Sequence, residues 1–256
     1  MEPLLKVESL HKSFAGRVVV ENLSFSLQEG EVFGLLGPNG AGKTTALKMV
    51  VGVLPPCRGK VHIKGADVYG DPLSAKRLFG YVPEATEMMD NLTAQEYVEF
   101  IGRLRRIPRG YLEERMGRFF RLFGLEARAG DLLDEFSQGM KRKVQLTAAL
   151  VHGPRLLILD DPFHALDPET TVIIKELIRE LSRKGIGCLI ATHNLPVAQD
   201  LCHRVCLLSQ GRVLALGEIP EILKETSAST LEAAYMALLG RGQKLEELKD
   251  VLGGWM

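Results

Sequence analysis

Long apolar runs are missing from this sequence. Runs such as Leu156-Leu157-Ile158-Leu159 and Cys188-Leu189-Ile190-Ala191 are strand-sized. They fall well short of the about 20 residues a membrane helix needs, so the chain is expected not to cross a bilayer. Net charge is missing too: 32 Lys+Arg offset 32 Asp+Glu. That excludes a polyelectrolyte that wraps duplex DNA, and no nucleic-acid partner is expected. Cysteine is scarce, with only Cys57, Cys188, Cys202 and Cys206, and the N-terminus has no charged-then-apolar leader. A disulfide framework is thereby excluded and a reducing, cytoplasmic setting expected. Internal repeats and low-complexity tracts are absent as well. The 46% hydrophobic and 25% charged residues that remain suit a globular chain with a substantial core.

Residues 4–36 alternate short β-like runs (Leu4–Leu10, Val18–Val20, Leu23–Leu27, Val32–Leu36) with the turns Ala15-Gly16 and Glu29-Gly30. They read as a small antiparallel lead-in. Strand–helix alternation follows Gly37 and returns over residues 155–209, the form of a parallel sheet with crossover helices. Between about Thr93 and His152, Tyr97, Phe100, Ile101 and Leu104 recur at helical spacing, which predicts a helical insert. The insert is rich in arginine (103, 105, 106, 109, 115, 118 and 121), read as a solvated helix face, with a surface turned to an anionic partner as the alternative. After Gly217 the chain turns helical; its tail, from about Ala228 to Leu252, is expected to pack on its own domain, with a dimer contact or a regulatory brace as the alternative. The expected domain limits are 1–217, with an insert over about 90–152, and 218–256.

The chemistry starts at Gly37-Pro38-Asn39-Gly40-Ala41-Gly42-Lys43-Thr44, which fits G-x-x-x-x-G-K-[ST] between an apolar strand and a helix that begins Thr45-Ala46-Leu47. Glycines let successive N–H groups turn inward, and the helix N-terminus adds partial positive charge toward a polyphosphate. Lys43 is then expected at the β- and γ-phosphates and Thr44 on Mg²⁺. Leu156-Leu157-Ile158-Leu159 delivers Asp160 at a strand end, where ligands of parallel sheets bind. Asp160 is the expected metal carboxylate, and Asp161 is placed to orient or activate an attacking water. The fold class predicted is α/β: a P-loop NTPase core with a parallel sheet, an antiparallel β subdomain and an inserted α-helical subdomain. Cys202-His203-x-x-Cys206 contains metal-ligand types but spans a helix end and a strand, and it reads as core thiols.

Together these residues resemble the ATP-binding subunit of ATP-binding cassette transporters, over nearly the whole chain up to about residue 217, and of its two-subunit exporter branch in particular. The diagnostic stretch is Phe136-Ser137-Gln138-Gly139-Met140, similar to the family signature. The resemblance implies ATP and Mg²⁺ as cofactors and an ATPase that powers transport through polytopic membrane subunits on another chain. It also implies a cytoplasmic, membrane-peripheral location. Two such subunits, as a homodimer or heterodimer, would close head to tail, with Ser137 and Gly139 meeting the γ-phosphate of ATP held by the other. Phe14 would stack on adenine, its alternative being plain core; Tyr81-Val82-Pro83-Glu84 would join core to insert; Ala165-Leu166-Asp167 would communicate between subunits. Glu84 would reach Mg²⁺-bound water, and His193 would contact the γ-phosphate.

Three positions depart from the family pattern, which has glutamine at 84, glutamate at 161 and a second glycine at 138. Phe163 and His164 also stand where small or polar residues are usual. Aspartate at 161 withdraws the carboxylate by about one methylene, and a displacement of about 1 Å near the chemistry costs on the order of a hundredfold in rate. The expectation is intact ATP binding with slow or partner-dependent hydrolysis. A nucleotide-gated regulatory or structural subunit is the second reading.

Overall fold

The computed structural model describes residues 2–164 and 166–240. In chain order the strands are β1 (Leu5–Phe14), β2 (Arg17–Leu27), β3 (Val32–Leu36), β4 (Arg58–Ile63), β5 (Ala66–Asp67), β6 (Phe79–Val82), β7 (Leu156–Asp160), β8 (Gly187–Thr192), β9 (Arg204–Ser209) and β10 (Arg212–Glu218). The helices are α1 (Lys43–Val50), α2 (Pro72–Leu78), α3 (Ala94–Leu104), α4 (Arg109–Leu122), α5 (Gln138–Leu150), α6 (Pro168–Arg183), α7 (Leu195–Leu201), α8 (Ile219–Glu225) and α9 (Leu231–Leu238).

Two sheets result. One is antiparallel, in the order β2-β1-β4-β5; the other runs β10-β9-β3-β8-β7-β6 and is parallel from β9 to β6. Every residue of β3, β7 and β8 is buried, as expected for parallel strands covered on both faces. The parallel sheet divides the apolar interior. One cluster joins its face to α1 and the antiparallel sheet, where Phe25 and Phe33 stack with centroids 4.8 Å apart. The other joins the opposite face to the insert and the C-terminal helices.

The antiparallel reading of residues 4–36 needs one correction. Val32–Leu36 pairs in parallel with β8 and β9 and lies at the centre of the larger sheet, not in the lead-in. Its five buried residues satisfy two covered faces, whereas β1 and β2 alternate buried and exposed positions. Val18–Val20 and Leu23–Leu27 are parts of a single strand, and register shifts between β1 and β2 account for the broken pattern. Likewise Tyr81-Val82 is not loop but the end of β6; only Pro83 and Glu84 leave the sheet.

The helical reading of the insert holds. Thr93 and Glu96 form a reciprocal capping box on α3. Most insert arginines are exposed and paired locally: Arg103 with Glu99, Arg109 with Glu113, Arg118 with Glu114 and Arg121 with Glu126. That is the solvated face expected. Arg105 and Arg115 instead reach the carbonyls of Lys76 and Leu150. At the C-terminal side α9 packs on the core through Leu231, Ala234 and Tyr235, whose hydroxyl donates to the Leu208 carbonyl at 3.2 Å. The rest of the expected tail, residues 241–252, lies outside the described residues.

Candidate active site

Parallel pairing brings the C-terminal ends of β3, β6, β7 and β8 to one edge, and the sequence-singled residues follow directly from them. The glycine loop leaves β3 and enters α1. Its turn is enforced sterically: a Cβ on Gly42 (φ +103°) would lie 2.5 Å from the Val19 carbonyl, and one on Gly37 would strike that of Leu208. Lys43 Nζ donates to the Gly37 and Pro38 carbonyls at 2.8 and 3.0 Å. Ala41 is fixed by its own amide to Pro38 and by its carbonyl to Gly211 N–H. Burial lowers the Lys43 pKa, and the charges of Asp161, Asp160 and Glu84 oppose that shift.

A pocket of about 320 Å³ is lined by Val19, Asn39, Gly40, Gly42, Lys43, Thr44, Thr45, Glu84, Asp160 and Asp161. Asp160 is 1% exposed. Its Oδ1 accepts from the Thr44 hydroxyl at 3.2 Å, while its Oδ2 is buried with no partner among the described residues. Burial pushes this carboxyl up to about 6, against the pull of the Thr44 hydrogen bond and with Glu84 and Asp161 adding to the rise. An orphaned buried carboxylate oxygen beside a threonine hydroxyl is costly without a cation. The all-oxygen donor set of Thr44, Asp160 and Glu84 fits a hard divalent ion such as Mg²⁺.

Asp161 is differently held. Its backbone sits at φ +42°, uncommon for a residue with a Cβ. Thr192 donates its hydroxyl to Oδ1 at 3.1 Å, and His193 Nδ1 lies 2.5 Å from Oδ2. Both carboxylate oxygens are thus engaged by the end of β8. His164, exposed, has its ring 6.4 Å from that of His193.

Other expected residues lie apart from this pocket. Ser137 caps α5, its hydroxyl accepting from Met140 N–H, and Gly139 faces Leu166 and Asp167; neither lines the pocket. Asp167 caps α6, while Ala165 lies outside the described residues. Phe14 stands at the tip of the β1–β2 hairpin, 47% exposed, with Lys12 Nζ 5.3 Å from its ring centre. Such exposure rules out the core alternative. Cys202 and Cys206 are buried core thiols and His203 Nδ1 accepts from Val32 N–H, so the metal alternative has no geometry. Sequence reasoning missed Arg142 and Gln145, buried polar residues of α5 that bind the segment carrying Glu84. With Lys141 and Lys143 on either side, Arg142 reads in the sequence as one more solvated cation of a basic stretch.

A glycine loop between a buried strand and a helix, with a strand-end carboxylate facing it, defines a P-loop nucleotide-binding domain. The family model described as "ABC transporter" matches residues 20–164. The chain is 33% identical to the linearmycin resistance ATP-binding protein LnrL of Bacillus subtilis, over 89% of this chain and 73% of that one. It is 36% identical to the lipopolysaccharide export system ATP-binding protein LptB of Acidithiobacillus ferridurans, over 88% and 94% respectively. A solved structure titled "Structure of ATP binding subunit of ABC transporter" superposes with a TM-score of 0.87 at 33% identity, covering 92% of this chain and 99% of that one. The chain belongs to the ABC transporter family, as an ATP-binding subunit.

Proposed function

We propose that this subunit binds Mg²⁺-ATP in the 320 Å³ pocket and hydrolyses it slowly, as one of a pair docked on the cytoplasmic face of a polytopic permease. The observation that carries the reading is the unequal state of two adjacent carboxylates. Asp160, which lines the pocket, keeps one buried oxygen without a partner among the described residues, and Asp161 has both oxygens engaged by Thr192 and His193. Thr44, Asp160 and Glu84 would hold Mg²⁺, which would supply neutralisation of charge on the phosphate oxygens. The loop from Gly37 to Thr45 binds the phosphates through its N–H groups, and Lys43 exchanges its loop carbonyls for β- and γ-phosphate oxygens. Phe14 stacks on the base. Asp161 orients the attacking water, and His193 meets the γ-phosphate. Ser137 and the Gly139 N–H complete the site of the other subunit, so ATP joins the pair and hydrolysis releases it.

Acidification tests the metal carboxylate. With its carboxyl pushed up to about 6, Asp160 is ionised at pH 7.5 and takes up a proton as pH falls through 6. Mg²⁺-dependent ATP binding is therefore expected to weaken by about tenfold per pH unit below 6. ATP binding in chelator should change far less over the same range. Titrations at pH 7.5, 6.0 and 5.0 with and without Mg²⁺ provide the comparison.

The permease contact is assigned to a groove of about 540 Å³ between α2, β6, α3 and α5. Its apolar walls include Leu73 and Leu104, 73% and 66% exposed. The charged side chains lining it are all cationic: Lys76, Arg77, Arg105 and Arg106. An amphipathic helix from the permease, apolar on one face and acidic along its edge, fits this lining. A crosslinker at Leu104→Cys is expected to reach a cytoplasmic segment of a polytopic protein that co-purifies stoichiometrically. Reversing Lys76 and Arg106 to Glu is expected to weaken that complex about tenfold. Crosslinking confined to a soluble protein contradicts the assignment.

Asp161 also favours the second reading, a nucleotide-gated regulatory subunit whose turnover is too slow to drive transport. A heteromeric pair, in which the other subunit carries a competent carboxylate, reconciles this reading with a functioning transporter.

A further inference from the structure

Past Val82 the chain leaves β6, and the next three backbone carbonyls lie beyond the sheet ladder. All three are taken by side chains of α5. Arg142 Nη1 donates to the Pro83 carbonyl, Arg142 Nη2 donates to that of Glu84 at 2.7 Å, and Gln145 Nε2 donates to that of Ala85 at 2.9 Å. Arg142 Nη1 also reaches Gln145 Oε1 at 3.2 Å, which orients the amide for its own contact. Farther along the same segment, Lys141 pairs with Asp90 at 2.6 Å.

Arg142 is an unusual choice for that task. It is 2% exposed and heads the fully buried side chains in size. Among the described residues, none of the ion pairs includes it, although it feels the more distant charges of Asp161, Asp160 and Glu84. Burying a guanidinium without a paired carboxylate is expensive, and an apolar residue would fill the space at less cost. What an apolar residue cannot do is grip successive carbonyls with a planar fork.

The fork joins two parts of the molecule with different duties. The N-terminus of α5 is Ser137, and Glu84 lines the pocket with Lys43 and Asp160. We infer that Arg142 is a positioning residue coupling paired ATP sites: it ties the Glu84 segment to the helix whose N-terminus closes on the other subunit's nucleotide. Displacement of α5 by the partner's ATP then carries Glu84 relative to Lys43 and Asp160, which stand on α1 and β7. Occupancy of one site is thereby reported in the other, as positive cooperativity. This inference rests on the paired-subunit reading above.

The test uses Arg142→Met, which keeps length and loses every donor. In the isolated chain, hydrogen exchange at residues 84–92 is expected to accelerate at least about tenfold, with β3 and α1 unchanged. ATP affinity of the isolated chain should stay within about twofold. In the pair, the Hill coefficient for ATP should fall from well above one to about one. Gln145→Met, which removes the Ala85 contact and the Arg142–Gln145 hydrogen bond but leaves the guanidinium on the Pro83 and Glu84 carbonyls, is expected to move both readouts the same way by less, and it serves if Arg142→Met does not fold. Unchanged exchange in the 84–92 segment overturns the clamp; faster exchange with unchanged cooperativity overturns the coupling. If the native chain shows no ATP-dependent pairing, the paired reading fails, while the exchange data still judge the clamp.

Discussion

Replacing Asp160 by asparagine is expected to abolish Mg²⁺-dependent ATP retention and to lower turnover by on the order of a thousandfold. The substitution keeps side-chain shape and removes the charge. Where Oδ2 now stands buried and without a partner among the described residues, the variant presents either a neutral oxygen or an N–H that repels a cation. The same change should stabilise the metal-free chain. Burial holds the Asp160 carboxyl at about 6 in the folded state, against about 3.9 in an unfolded chain. The folded protein thus binds the proton more tightly, and stability is lost as pH rises from about 4 through 6 and stays lost above it. That difference corresponds to about 3 kcal/mol at most. Asp160→Asn should recover about 1–3 kcal/mol of it at pH 7.5 in chelator and none at pH 4. Thermal melts at the two pH values, beside ATP turnover at pH 7.5, check both halves: a site that trades stability for function gains one and loses the other.

Asp161→Glu is expected to act in the opposite direction, raising ATP turnover about ten- to a hundredfold with little change in ATP affinity. In the native chain Thr192 and His193 hold both oxygens of a short carboxylate against the end of β8. An added methylene carries the carboxylate past them into the pocket that Asp161 already lines. Positioning errors of about 1 Å account for rate losses of that size. The left-handed backbone at 161 sets a small cost for any longer side chain, so the gain belongs to kcat rather than to stability. Equal kcat in the two proteins would mean that the aspartate is an adequate base in its own setting.

Much of this site is legible in the sequence because it is local. Gly37 to Thr45 declares itself through spacing and flanks, and Asp160 through the four apolar residues before it. What escapes is contact between distant segments. Nothing near Asp161 in the chain announces that Thr192 and His193 will hold it. Nor does the sequence show that Arg142, beside Lys141 and Lys143, turns inward while Lys141 pairs near the surface. The strands most easily overlooked are short or polar: β4 opens with the exposed Arg58-Gly59-Lys60, and β5 has two residues. Val32–Leu36 is misplaced by proximity in sequence, since its partners β8 and β9 arrive only after residue 187.

The most direct test is a single-turnover measurement on the purified chain loaded with γ-labelled Mg²⁺-ATP at pH 7.5. One nucleotide is expected to be retained per chain, recovered as intact ATP over a long interval, and cleaved much faster in Asp161→Glu. Failure to retain ATP, or prompt cleavage at a rate indifferent to residue 161, would contradict this expectation.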